Sequence, residues 1–213
     1  MTQKVFWSDP YQTSHGTAVA TVDGADITLE STIFFAFSGG QESDAGTIEG
    51  CPVMSARRDG REIIYTLAAD HGLGVGQQVK VEIDWDRRYR LMRLHFAAEL
   101  VLELFHAARV GLSKVGAHIA RDKARIDFAC AQSIAPLLPA IAARANEIVA
   151  ADLKIETGFD DEENERRYWE ISGFSRVPCG GTHVRRTGEI GRIRLKRNNR
   201  GRGSERVEIY LDD

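Results

Sequence analysis

No stretch of this chain approaches the roughly 18 consecutive apolar residues that a membrane-spanning helix needs, which sets aside an α-helical membrane protein. Net charge is scarce as well, −3 at pH 7 over 213 residues, so no global basic field advertises nucleic acid. Cysteine is nearly absent. Cys51, Cys130 and Cys179 are an odd, widely spaced set, which argues against a disulfide framework and for a reducing, cytoplasmic setting. The opening MTQKVFWSDPYQ lacks the apolar run and small-residue cleavage site of a secretory leader. There is no internal repeat and no long linker. What the chain does have is apolar residues, 43% of the total, enough for a core in one large domain or two small ones. A reduced cysteine in such a protein is either quiet core filling or chemistry.

The first part, to about residue 86, reads as strands. HGTAVATVDGADITLEST alternates on both sides of Asp23-Gly24, and MSARRDGREIIYTLA does so around Asp59-Gly60, two hairpin signals. QQVKVEIDW alternates through Val79, Val81, Ile83 and Trp85, the pattern of a half-buried strand. Short strands with Gly-containing turns predict a small antiparallel barrel or sandwich, interrupted by FFAFSGGQESDAGTIEG. From about Arg87 the period changes. DRRYRLMRLHFAAELVLELFHAARVG has no Gly or Pro before Gly111 and predicts a helix, with Leu91, His95, Ala98, Leu102 and Phe105 on one stripe. ARIDFAC reads as a strand and SIAPLLPAIAARANEIVAADL as a second helix. FDDEENERRYWEIS passes from an acidic segment into a strand, and EIGRIRLKR with ERVEIYLDD forms a terminal hairpin. The expected class is α+β, with domains over 1–86 and 87–213.

Four candidate metal ligands stand out: His95 and Glu99 on the first helix, Cys179 and His183 in PCGGTHV. An i,i+4 pair lies on one helical face. The glycines between Cys179 and His183 allow the backbone to curl so that both side chains turn to one point. Sulfur, nitrogen and oxygen donors suit Zn²⁺, although a catalytic site normally leaves one position open. Each residue also has a plain structural reading. His95 on an apolar stripe reads equally as a satisfied core histidine, Glu99 as a partner of Arg93 or Arg109, and Cys179 as a small hydrophobe. The basic run has two readings too. Arg185, Arg186, Arg192, Arg194, Lys196, Arg197, Arg200, Arg202 and Arg206 face only Glu189 and Glu205 within the same stretch. That is either a footprint for a nucleic-acid backbone or a solvated hairpin face.

Several blocks together carry a family resemblance: DPYQTSHGTAVATVDG, TIFFAFSGGQESDAGTI, IDWDRRYRLMRLHFAAELVLELF, GAHIARDKARIDF and YWEISGFSRVPCGGTHVRRTGEIG. The chain resembles the freestanding alanyl-tRNA editing proteins of medium length (the AlaX type), relatives of the editing region of alanyl-tRNA synthetase. The resemblance implies a small N-terminal antiparallel β-barrel with a glycine-rich motif, followed by a threonyl/alanyl-tRNA synthetase-like editing domain. It implies hydrolysis of mischarged tRNA(Ala), chiefly seryl-tRNA(Ala) and also glycyl-tRNA(Ala), with the tRNA acceptor end as partner and no membrane. Oligomeric state stays open. It further implies a zinc ion held by His95, Cys179 and His183, with position 99 as the fourth ligand. Gly39, Gly40, Gln41 and Arg185 become substrate-binding candidates, and Thr182 and His118 catalytic ones. The chain departs from the family at Glu99, where a histidine is usual. A carboxylate can ligate zinc but makes the site one unit more negative, which weakens its Lewis acidity. Alternatively Glu99 falls back to the helix surface. Two other readings remain: an RNA-binding relative with a degraded metal site, and a metal-dependent hydrolase of a small-molecule ester.

Overall fold

A computed structural model describes residues 1–108, 111–201 and 203–212. Arg109, named above as a partner for Glu99, and Arg202 of the basic run lie outside the described residues, as does Asp213 at the end of the terminal hairpin. The class is α+β: sixteen strands and two α-helices among the described residues. Contacts divide the chain into two compact units, one of Met1–Ser38 with Glu42–Tyr89, the other of Gly39–Gln41 with Arg90–Asp213. Among the described residues no helix is long and apolar enough to cross a membrane.

The first unit holds β1 (Gln3–Lys4), β2 (Ser14–Asp23), β3 (Asp26–Leu29), β4 (Ser31–Thr32), β5 (Gly46–Ile48), β6 (Cys51–Pro52), β7 (Ser55–Asp59), β8 (Glu62–Thr66) and β9 (Gln78–Ile83). β1 and β4 pair in parallel. The other seven form one antiparallel sheet in the order β6-β5-β9-β2-β3-β8-β7. Both Asp-Gly hairpins form where the sequence predicts them. Gly24 and Gly60 take left-handed φ of 59° and 55°, the conformation a tight hairpin turn demands. β9 buries Val79, Val81 and Ile83 in strict alternation. The sheet's edges, β6 and β7, are one run of chain separated only by Val53 and Met54. A flat seven-stranded sheet would be about 29 Å wide. Three Cα–Cα steps reach at most about 11 Å, so the sheet must curl, and it does so as a half-barrel. Its interior is filled by Val19, Ile27, Leu29, Ile63, Tyr65 and Val81, among others.

The helix α1 (Trp85–Ala107) follows directly. Leu91, His95, Ala98, Leu102 and Phe105 are all buried, but so are Met92, Leu94, Phe96, Ala97, Leu100 and Val101. The helix is therefore core on most of its sides rather than along one stripe. Most of α1 belongs to the second unit, with β10 (Ser113–Ile119), β11 (Ala124–Ala129), α2 (Leu138–Ala150), β12 (Glu156–Asp161), β13 (Arg166–Ile171), β14 (Ser175–Pro178), β15 (Arg192–Asn199) and β16 (Ser204–Asp212). These strands make an antiparallel sheet ordered β10-β11-β16-β15 and a second ordered β12-β13-β14. The acidic segment is thus partly strand, not merely a solvated lead-in. Phe96 packs edge-on against Trp169 and Phe105 lies tilted against Phe128, each pair 5.0 Å between centroids.

Each edge of the four-stranded sheet is met at one residue by another part of the chain. Gln41 forms a parallel bridge with Ile119, and Ile119 donates to the Gly40 carbonyl at 2.7 Å. Across the sheet, the Asn146 side chain accepts from Ile193 N at 2.8 Å and donates to Ile193 O at 2.9 Å, copying what a neighbouring strand would do.

Candidate active site

The second unit brings the two halves of the sequence motif together. His95 and Glu99 project from one face of α1, and their side chains approach to 3.4 Å. Cys179 follows the last residue of β14, and its N–H donates to the Arg167 carbonyl at 2.8 Å, which extends the β13–β14 ladder by one rung. The chain then turns through Gly180, Gly181 and Thr182 to His183. Neither glycine takes a left-handed φ, so the expected glycine-driven curl is corrected. Gly181 is there for space. A Cβ at that position would lie 2.0 Å from His95 Cε1, whereas one at Gly180 would meet nothing within 4 Å.

The donor atoms of His95, Cys179 and His183 all lie within 4.8 Å of one another. His95 Nε2 is 3.5 Å and His183 Nε2 is 3.3 Å from Cys179 Sγ. Glu99 stands outside that three-residue group, yet its Oε1 is 3.8 Å from Cys179 Sγ. Its other oxygen accepts from Trp169 Nε1 at 3.1 Å. Tetrahedral zinc with N, S and O ligands implies donor–donor edges of roughly 3.3–3.6 Å. Of the six edges of such a tetrahedron, His95–Glu99, His95–Cys179 and His183–Cys179 fall in that range and Glu99–Cys179 is slightly long. His95 Nδ1 and His183 Nδ1 are buried with no hydrogen-bond partner among the described residues. These are not the converging nitrogens: both Nε2 atoms face Cys179 Sγ, and both Nδ1 atoms lie on the far side of their rings. The donor set fits a transition-metal ion of the zinc type.

The charges of the cluster act strongly on one another. Burial pushes His95 down, but the Cys179 sulfur and the Glu99 carboxylate outweigh it and raise His95 to about 10. Burial, reinforced by the charge on His95, pushes His183 well below the usual histidine range. Burial raises Glu99, and the hydrogen bond and charge of His95 overcome that to hold it at about 2. The cluster therefore favours positive charge at its centre and carries it on one ring.

The remaining sequence candidates divide. Gln41 and Thr182 are buried and joined twice: Gln41 Nε2 donates to Thr182 Oγ1 at 2.8 Å, and Thr182 N donates to Gln41 Oε1 at 3.3 Å. Gly40 has a φ of 90° and packs so tightly on β10 that a Cβ would sit 2.6 Å from the Ala117 carbonyl oxygen. Gly39, with φ of 60°, completes the turn. His118 pairs in register with Arg125, on the strand face opposite Ile119, and its Cα lies 3.6 Å from where a Cβ at Gly40 would sit. Arg185 is exposed, with its main-chain N–H bonded to Glu189 Oε1 at 2.9 Å. Much of the basic run is committed to carboxylates: Arg186 to Asp152, Arg194 to Asp212, Arg197 to Glu205 and Arg206 to Asp127. The footprint is smaller than the sequence suggests, because three of those acids come from outside the run.

Two residues at the site escape a motif search. Trp169, fully buried, holds Glu99 as described above. Arg167 is buried on the same face of β13, and its Nη1 donates to the Gly181 carbonyl at 3.4 Å. Burial lowers its pKa to about 10, against the raising effect of Cys179, so it remains a cation at neutral pH. The available signal was the alternation Arg167, Trp169, Ile171, which sets an arginine in an inward-facing row.

The stretch that supplies Cys179 and His183, residues 167–208, matches the family model described as the second additional domain of threonyl and alanyl tRNA synthetases. That is the class of domain this fold and site define. Over its whole length the chain is 32% identical to the alanyl-tRNA editing protein AlaX-M of Pyrococcus horikoshii, covering 99% of that protein. It is 30% identical to the AlaX-M of Methanosarcina mazei, over 100% of this chain and 98% of the relative. Alanine–tRNA ligase of Staphylothermus marinus is 31% identical over 91% of this chain, which corresponds to 24% of that longer enzyme. The chain belongs to the AlaX-M family of alanyl-tRNA editing proteins.

Proposed function

We propose that this protein is a trans-acting editing hydrolase that deacylates mischarged tRNA(Ala), with seryl-tRNA(Ala) as its principal substrate and glycyl-tRNA(Ala) as a second. The observation that carries the reading is the convergence of His95, Cys179 and His183 on a chain of this family. In this account residues 1–86 are the family's N-terminal barrel and 87–213 its editing domain, and the protein works in the cytoplasm on the acceptor end of the tRNA.

His95, Cys179 and His183 hold a zinc ion, with Glu99 as fourth ligand. With four protein ligands the ion would have no open position, so when bound it would serve to position the terminal adenosine and the aminoacyl group beside it. Trp169 keeps Oε1 of Glu99 turned toward Cys179 and His95 by occupying Oε2. Gln41 donates to Thr182 Oγ1, so the Thr182 hydroxyl proton is directed elsewhere and can donate to the amino-acid side chain or to water. In the reaction a water oxygen bonds to the carbonyl carbon and the carbonyl electron pair moves onto oxygen. The resulting tetrahedral species collapses, the bond to the ribose oxygen breaks, and a proton from water ends on that oxygen. The products are a free amino acid and a tRNA with its terminal hydroxyl restored. Positioning and charge stabilisation suffice for such an ester, without a strong general acid.

The test is deacylation of seryl-tRNA(Ala) by wild type and Cys179→Ala. Changes next to a metal's ligands alone cost about 10–100-fold, so loss of the sulfur ligand is expected to slow the reaction at least ~100-fold. Equal rates would remove Cys179 from the mechanism. A wild type that binds tRNA without turnover would replace this reading by a binding-only one.

A further inference from the structure

A cleft of about 520 Å³ opens beside Cys179, lined by Asp160, Glu165 and Arg166 of the β12–β13 hairpin and by Arg167, Pro178, Cys179 and Gly180. His95, Thr182 and His183 are buried, whereas Cys179 is half-buried and Gly180 exposed, so this is the side from which the cluster is open. Arg167 is the cation on its inner wall. β13 alternates Arg167, Trp169 and Ile171 on its buried face, and each of the other two is apolar, as an inward row requires. An arginine in that row bears a desolvation cost that a leucine would not. Its side chain is held rather than loose: the guanidinium lies over the Phe159 ring at 5.3 Å and reaches the Gly181 carbonyl, while its own carbonyl anchors Cys179 N. A planar fork with five N–H donors is well suited to an oxygen that gains negative charge.

The cleft carries charge of both signs. Arg167 lies beside Cys179 at its inner end, while the hairpin side carries Arg166 together with Glu165 and Asp160, the last paired with Arg176 at 2.6 Å. In an aminoacyl ester the group suited to the inner cation is the carbonyl oxygen, which becomes anionic as water adds.

We propose that Arg167 is a catalytic residue that contacts the substrate in this cleft, binding the ester carbonyl oxygen and taking up the negative charge that forms there as water adds. The inference rests on the deacylase reading and extends it. It is tested with Arg167→Gln and Arg167→Lys, assayed for kcat and KM on seryl-tRNA(Ala), for zinc affinity by chelator competition, and for thermal midpoint. Loss of one donor to a developing oxyanion costs about 10²–10³-fold in kcat, and that is the expected effect of Arg167→Gln, with KM and zinc affinity held within about threefold of wild type. Arg167→Lys, which keeps the charge but not the fork, is expected to recover about tenfold of that loss. A kcat for Arg167→Gln within about threefold of wild type overturns the inference. So does a loss of rate matched by a loss of zinc affinity or of folding in both variants, which would make Arg167 a prop for the turn. A wild type inert on seryl-tRNA(Ala) would instead sink the deacylase reading itself, so the two failures are distinguishable.

Discussion

Each unit of this chain contains one densely polar buried centre, and the two are built on opposite plans. In the first unit Arg88, fully buried, makes a two-point contact with Asp44 and donates to the carbonyls of Ile33 and Pro10. Asp44 in turn accepts from Phe35 N at 2.7 Å. Charges cancel and the surrounding lone pairs and protons are used. In the second unit His95, Cys179 and His183 bring their donor atoms within 4.8 Å of one another, with Glu99 Oε1 at 3.8 Å from the sulfur. A centre that satisfies itself fixes a loop. A centre of converging donors is set up to hold a cation from outside.

That contrast can be broken most forcefully at Asp44. Asp44→Ala leaves Arg88 charged and buried without its partner, and such a change typically costs about 3–5 kcal/mol. The expected outcome is a matching fall in denaturant midpoint at unchanged zinc affinity. A variant with normal stability would mean the pair is not the anchor it looks to be. Next comes a matched pair at the turn. Gly181→Ala drives a methyl into His95, and overpacking of this kind costs about 1–3 kcal/mol. Because either His95 or the turn must give way, zinc affinity measured by chelator competition should fall with it. Gly180→Ala, which meets no neighbouring atom, should leave both quantities near wild type. Equal effects of the two would show that the turn needs glycine for its backbone path after all. The smallest effect is expected at Trp169→Phe, which keeps the ring against Phe96 but frees Oε2 of Glu99. A drop of about tenfold in zinc affinity would mark Glu99 as a ligand held in place from behind, and no change would return it to the helix surface.

The parts of this fold that sequence makes legible are those governed by neighbours a few residues away. Asp23-Gly24 and Asp59-Gly60 announce their hairpins, Val79, Val81 and Ile83 announce a strand, and the i,i+4 spacing of His95 and Glu99 is a property of the helix alone. What stays hidden depends on distant partners. Arg186, Arg194 and Arg206 look like free basic charge until Asp152, Asp212 and Asp127 arrive from elsewhere in the chain. The glycines of PCGGTHV look like conformational devices, while Gly181 in fact answers to a histidine ring about eighty residues earlier. The glycine-rich element lies in the sequence among the first unit's strands, yet its tip, Gly39–Gln41, is built into the second.

The side chain of Asn146 has a bearing on how this protein behaves among other proteins. An open sheet normally ends in a row of unused amide and carbonyl groups, a template on which foreign strands can polymerise. By lending its amide to Ile193 at the β15 edge, while Gly40 and Gln41 occupy the β10 edge, the chain interrupts that template with its own atoms. At Ile193 the amide and carbonyl of the β15 edge are thereby taken out of reach of a foreign strand.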